Sequence, residues 1–443
     1  MADNALARIF RVKELRKKVL YTLGMLLVFR IGAVLPIPGI DVQALNDYFL
    51  TQTGAGGGLG LTDYLDFFAG GAFKNFSVFM LGIMPYISMS IIMQLLLLVF
   101  PALKRVSEGD GGRKKIQKYI RYGTVVVCLI QSFTVTQYAR TIPGIINPSL
   151  MGWKFNAIAI LTVTVGTLFL MWIGEQINEK GIGNGISLII FTGIVARMPG
   201  AVSELVAEIG MGNINPVFVI FAFMMFVGVV ILVIYEQQGQ RKIPVHYAKR
   251  IVGRKVYGAQ NAYIPLKINP SGVIPVIFAS SILTLPLTVA SMLGPSRSGW
   301  ANFASFLRPN GPAYLIIYTL LIVFFAYFYT QVSLNPIEIA RQIRENGGSI
   351  PGIRSENMEA YLTKVLNRIV LPGSLFLALI ALIPSVVVIV FNFPTSISYL
   401  MGGTSLLILV GVDLDTMSQI EGQLKMHHHD GLVKGGKLKS RNL

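Results

Sequence analysis

Ten apolar runs, each near the length a helix needs to cross a bilayer, constrain this chain more than any other feature. A hydrocarbon core of ~30 Å takes about 20 helical residues, with a range of roughly 17 to 25. The runs lie near residues 19–35, 76–100, 120–138, 155–174, 181–196, 214–235, 270–293, 312–333, 369–391 and 396–414. The fifth is short, but the loop joining it to the fourth is too small to be a domain. Barrel strands would alternate polar and apolar residues, and these runs are continuous, so they read as helices. Charged residues make up 13% of the chain, against about 25% in soluble domains. The expected fold class is an all-α polytopic membrane protein with ten transmembrane helices.

The basic residues orient it. With the first tail in the cytosol, 31 Lys and Arg fall on the cytosolic side and six outside (Lys74, Arg140, Lys154, Arg197, Arg297, Arg308), leaving Arg30 within the first span. By the positive-inside rule both termini are cytosolic. Residues 6–35 have the cationic start and apolar stretch of a signal peptide. Arg30 interrupts that stretch, however, and no small-residue cleavage site follows it, so a retained first helix is expected behind a basic amphipathic segment, 1–18.

The spans hold almost no chemistry. Ion-coupled transporters and intramembrane proteases need ionisable groups at bilayer depth, yet no span carries a central Asp, Glu or His. Arg30 is expected to bond loop or helix-end carbonyls, and Asp413 and Asp415 to be solvated at the end of the last span. Cys128 is the single cysteine, which excludes an intramolecular disulfide, a Cys-based zinc site and an iron–sulfur cluster. No GxxxxGK[ST] motif occurs. Gly181-Ile182-Gly183-Asn184-Gly185 resembles a phosphate loop only superficially, because no strand precedes it and a span follows. Neither cofactor nor metal is expected. His246 reads as a surface residue, and His427, His428 and His429 are assigned no chemistry. A partner must supply the power for whatever this chain does.

Ten spans divide as five plus five, and the second span of each half carries a related string. Gly82-Ile83-Met84-Pro85-Tyr86-Ile87 matches Gly272-Val273-Ile274-Pro275-Val276-Ile277 in pattern. An odd number of spans per half inverts the second copy, so the pattern suggests an inverted repeat with a working site between halves. The expected divisions are 19–210, 211–416 and a basic tail, 417–443. Residues 61–77 are too short and polar to span and too aromatic for an idle loop. They read either as a re-entrant segment or as an amphipathic helix on the outer surface. Ile83 and Ile87 share a helix face, as do Ile186 and Ile190; on a packed or lipid-facing surface such pairs carry no function. The segments 236–269 and 334–368 are long and charged, and suit docking of large partners.

Several strings together carry a specific resemblance. Arg30-Ile31-Gly32 with Pro36-Ile37-Pro38-Gly39-Ile40-Asp41, Gly82 to Ser88, Gly174-Glu175-Gln176 with Gly181 to Ser187, Gly239-Gln240-Arg241 with Tyr247-Ala248-Lys249-Arg250, and Pro351-Gly352-Ile353-Arg354 resemble the SecY family, in the family's order from about residue 12 to 435. Ser355 departs from it, standing where the family usually has proline.

The resemblance implies two inverted five-helix halves around a central hourglass pore in the bacterial cytoplasmic (inner) membrane, with 61–77 as a re-entrant plug that includes Asp66, Phe67, Phe68, Gly70 and Gly71. It implies a pore ring of Ile83, Ile87, Ile186, Ile190, Ile277 and Ile408, and a lateral gate on the second and seventh spans at Ser88, Gln94, Ser281 and Leu285. Partner docking falls on Arg241, Lys242, Lys249, Arg250, Arg254, Lys255 and Arg354. The implied function is a passive protein-conducting channel, not an enzyme. The implied partners are SecE and SecG in a heterotrimer, the SecA ATPase or a ribosome on the cytosolic loops, unfolded polypeptides and the lipid bilayer, with no specific nucleic-acid binding apart from ribosomal RNA contact. The rival classes are a ten-span solute transporter and a membrane enzyme.

Overall fold

The computed structural model describes residues 12–45, 47–48, 66, 69–109, 111–148, 152–212, 216–247, 250–252, 255–257, 261–293, 306, 311–391 and 403–435. Each of the ten apolar runs carries a helix. In chain order the longer helices are α1 (Lys13–Val34), α2 (Met84–Val99), α3 (Pro101–Glu108), α4 (Gly112–Thr141), α5 (Trp153–Lys180), α6 (Gly185–Gly210) and α7 (Pro216–Gln238). After four strands come α8 (Ile274–Leu293), α9 (Pro312–Ser333), α10 (Pro336–Glu345), α11 (Met358–Phe391) and α12 (Gly403–Gly435). The chain forms two compact units, Met1–Gly200 with Ile408–Leu443, and Ala201–Leu407.

In the first unit α5 shows why these helices belong in lipid. Phe155, Ala159, Val163, Gly166, Leu170, Ile173 and Ile177 are buried at spacings of three and four, the stripe a packed helix turns inward. The opposite stripe of Leu161, Val165, Phe169 and Trp172 is exposed and equally apolar. A helix apolar all round is stable at a surface only where that surface meets hydrocarbon. Gly166 lets backbone approach closely, since a Cβ there would collide with the Val78 carbonyl oxygen.

The second span begins later than its apolar run. Ser77 bridges to Pro36, residues 78–83 are turns, and helix starts at Met84. Phe76 (φ +43°) and Gly82 (φ +57°) both sit in the left-handed region, which a right-handed helix does not tolerate. That leaves α2 at 16 residues, about 24 Å long and short of the bilayer core. A bend of 108° then separates it from α3.

The repeated strings fold alike. Gly272 holds φ +58°, matching Gly82. Each glycine N–H donates to the carbonyl three residues back, Phe79 O at 2.8 Å and Asn269 O at 3.4 Å. Pro85 and Pro275 then occupy the second helical position, where the missing N–H is no loss, so neither proline kinks its helix.

The segments 236–269 and 334–368, expected as loops, form one packed lobe in the second unit. Strands β1 (Gln240–Tyr247) and β4 (Asn261–Lys267) pair antiparallel with Ile243 opposite Ile264 and Val245 opposite Ala262. β2 (Arg250–Val252) and β3 (Lys255–Tyr257) make a separate hairpin between them. β5 (Gly348–Ser349), from the other segment, adds to the far edge of β1, giving the order β4-β1-β5. Side chains alternate along β1, so Ile243 and Val245 point into a core with Ala340, Ile343, Met358, Leu362 and Leu366 while Lys242, Pro244 and His246 face out; Arg241, near the strand start before the core begins, is exposed too. Each buried Ile or Leu contributes about 1.5 to 3 kcal/mol. α10 is started by Asn335, whose side chain accepts from Ile337 N, with Pro336 at the first helical position.

Candidate pore, plug and docking residues

The aliphatic residues expected at a pore sit at helix starts. Ile83 is the N-cap of α2, and Ile87 follows one turn on, its N–H bonded to Ile83 O at 3.1 Å. Both are buried, as are Ile190 on α6 and Ile408 on α12, while Ile186 is half-buried. These five belong to the first unit. Ile277, half-buried near the start of α8, belongs to the second.

The segment before α2 is folded into the first unit rather than laid on its surface. Asp66, Ala69, Ala72, Phe73 and Phe76 are all buried. Asp66 is fully enclosed, with its Oδ2 2.7 Å from Arg197 Nη1 and its Oδ1 accepting from Lys74 N at 2.8 Å. Arg30 Nη1 donates to Gly70 O at 3.0 Å, so the one cation within the first span bonds a loop carbonyl. At Gly70 (φ +66°) the chain touches α6 so closely that a Cβ would lie 2.6 Å from Gly193 Cα. The far end is anchored through backbone, Ile37 N to Phe76 O at 2.8 Å and Val78 N to Leu35 O at 2.9 Å. Phe76 keeps its left-handed φ while stacked on Tyr138, ring centroids 6.1 Å apart. Phe67 and Phe68 lie outside the described residues.

Of the gate positions, Ser88 is buried on α2 and Ser281 on α8. Gln94 Oε1 and the Ser281 hydroxyl are buried with no hydrogen-bond partner among the described residues. Leu285 lies on α8, its side chain outside the description.

Among the docking cations, Arg241 and Lys242 are exposed on β1, and Lys242 Nζ stands 4.9 Å above the Tyr263 ring. Arg354 is exposed beside Gly352 (φ +79°), at the rim of a groove of about 510 Å³ shared with Tyr361 and Lys364. Neighbouring Ile353 packs on the lobe core, and Ser355 opens a 3-10 turn. Arg250 and Lys255 lie on strands with side chains outside the description, as Lys249 and Arg254 are entirely.

In the Gly181–Gly185 loop the glycine N–H groups are already engaged within the fold, Gly181 N donating to Ile177 O at 2.8 Å. Ile182 N donates to Thr22 Oγ1, Gly183 N to Gln419 Oε1, Gly185 N to Asn178 Oδ1 and Ile186 N to Asn184 Oδ1. Among the described residues no three His, Cys, Asp or Glu side chains gather.

Sequence reasoning missed the Asp66–Arg197 pair, reading Arg197 only as an outside charge. An ionisable residue at the end of an apolar run is itself a signal, but its partner, far away in the chain, is not readable from spacing.

Residues 77–417 match the family model described as SecY. The chain is 48% identical over 419 residues to the protein translocase subunit SecY of Borreliella burgdorferi, covering 94% of each. It is 41% identical over 435 residues to that of Escherichia coli K12, covering 96% of this chain and 95% of the other. Among solved structures, a protein-conducting channel aligns at TM-score 0.64 with 19% identity over 91% of each chain. Sec61 from the canine ribosome–channel complex of the endoplasmic reticulum aligns at 0.61 with 18% identity over 91% of each.

Proposed function

The chain belongs to the SecY family, and from that premise we propose how its residues divide the work of a protein-conducting channel. It is a multi-pass membrane protein that passes unfolded secretory polypeptides across the bilayer and releases signal sequences and membrane helices sideways into lipid. The pore is passive, and a partner motor drives it.

Ile83, Ile87, Ile186, Ile190, Ile277 and Ile408 form the constriction. Branched aliphatic side chains offer water and ions no hydrogen bond, so a narrow ring of them blocks conduction by dewetting. Being deformable, they also seal around a polypeptide. The observation that carries this reading is the burial of Asp66, Ala69, Ala72, Phe73 and Phe76 inside the first unit. Irregular backbone at membrane depth is tolerated where protein buries it, which suits a stopper and not an amphipathic helix on the outer surface. Phe67, Phe68, Gly70 and Gly71 belong to that stopper.

Sideways release runs between α2 and α8, past Ser88, Gln94, Ser281 and Leu285. The repeated string at the start of the two helices supports this reading, since Gly82 and Gly272 hold the same left-handed turn before each. The lobe faces the cytosol with both chain termini. Its cations Arg241, Lys242, Lys249, Arg250, Arg254, Lys255 and Arg354 receive the SecA ATPase or a ribosome, and SecE with SecG completes a heterotrimer. The chain catalyses no bond chemistry itself.

Reconstitution tests this. Proteoliposomes holding the chain with a SecE homologue should import an unfolded precursor only when SecA and ATP are added. Ion-coupled uptake of a small solute by the chain alone, with no precursor transport under any condition, would overturn it.

A further inference from the structure

Three contacts converge on the start of the buried segment, and all three come from outside it. Arg197, on α6, pairs with Asp66 at 2.7 Å, the carboxylate being fully enclosed and the guanidinium 20% exposed. Arg30, on α1, donates to Gly70 O at 3.0 Å. Gly193, one helical turn before Arg197, lets the Gly70 backbone lie directly against α6. The other end, Phe76 to Val78, is tied by backbone bonds to Leu35 and Ile37. The two ends are therefore held by different forces. The far end is stitched by backbone, and the near end is held by two cations, with two glycines at positive φ, Gly70 and Gly71, between them.

We propose that Arg197 is a positioning residue for the channel's stopper, and that its ion pair with Asp66 is a latch whose strength sets how readily the resting channel opens and how strong a signal sequence must be to open it. The proposal rests on the reading of this segment as the stopper and goes beyond it by assigning the group that holds it shut. A buried carboxylate that loses a charged partner loses much of what offsets its desolvation, so the closed arrangement weakens when Arg197 is removed, even with the Lys74 N–H still bonded to Asp66. Removing Asp66 frees the segment while its backbone stitches at Phe76 and Val78 stay in place. Arg30 holds a carbonyl rather than a charge, and its loss is the milder change.

The test uses full-length channel assembled with its partner subunits in proteoliposomes. Asp66→Asn and Arg197→Gln should each raise resting ion flux on the order of tenfold, less than breaking a fully buried charge pair would give, because the guanidinium is 20% exposed. Each should also admit precursors with defective signal sequences. The exchange Asp66→Arg with Arg197→Asp should return both readings toward wild type, which a merely structural requirement for either residue would not do. Normal flux and stringency in both single variants, or an exchange variant no better than the singles, overturns the latch. Deletion of residues 61–77 separates the two levels. If the deletion raises flux while the single variants do not, the latch alone is wrong; if the deletion also leaves flux unchanged, the stopper reading fails with it.

Discussion

His246 and Ser349, 103 residues apart, are partners in one sheet, the Ser349 hydroxyl reaching the His246 carbonyl at 3.5 Å. Two segments on either side of α8 and α9 therefore move as one body. A force applied at one is felt at the other.

This coupling frames the prediction for Arg354. Its side chain projects from a turn whose neighbour Ile353 is fixed on the lobe core, so a change of charge there leaves the fold alone. Arg354→Glu is expected to insert and assemble normally yet lose SecA-driven export. Arg354→Lys should also be impaired, because lysine cannot reproduce a two-bonded guanidinium–carboxylate contact. Export assays at matched expression check this, and wild-type export from the Glu variant would remove the lobe from motor coupling.

For the constriction, Ile87→Asn and Ile408→Asn each place an amide where only methyl groups stood, which lowers the penalty for wetting. Both should leak ions at rest and accept weaker signal sequences. Single-channel recording decides, and a silent resting channel in both variants counts against the ring.

The gate prediction uses a Cys128→Ser background. Ser88→Cys paired with Leu285→Cys should form a disulfide under oxidation and halt translocation until it is reduced. Should the bond form fully while export runs at its normal rate, sideways release does not pass between α2 and α8.

Topology is checked with a thiol reagent that cannot cross the membrane. Ser107→Cys and Gly258→Cys, each in the Cys128→Ser background, should react from the cytosolic face only, and Ser298→Cys from the outer face only. Labelling from the opposite side at any of the three reverses the orientation.

The matched glycines give a stability prediction. Nothing lies within 4 Å of a Cβ at Gly272, so Gly272→Ala costs only the left-handed backbone, roughly 1 to 2 kcal/mol. Thermal unfolding of the purified assembly should show a modest loss. No loss at all would mean that the turn before α8 relaxes to another conformation.

Long uninterrupted apolar runs made the helices legible, because lipid demands the same stripe on every face. The lobe was not legible. Its strands are short, carry Pro244 and Pro265, and draw their third member from beyond two membrane helices, so no local period announces them. The late start of α2 was hidden for a related reason. Phe76 is apolar and reads as helix, and its left-handed backbone is held against Tyr138 and Ile37, neither of them near in sequence. Ile83 and Ile87 could be seen as a face, but which face lines a passage depended on resemblance alone. Asp66 and Arg197 were each visible as charges, and only folding joins them.

The bond from Gly183 N to Gln419 Oε1 closes a loop of 236 residues, which gives it a meaning for biogenesis. At a synthesis rate of roughly 5 to 20 residues per second, the Gly181–Gly185 turn waits about 10 to 50 s for its last partner to leave the ribosome. Throughout that interval the first unit exists without α12 and without Ile408. With Ile408 in the proposed ring, a newly made chain is an incomplete barrier until its C-terminal helix arrives, and a nascent chain arrested before residue 408 should be the most permeable and most protease-sensitive species on the path to the finished channel.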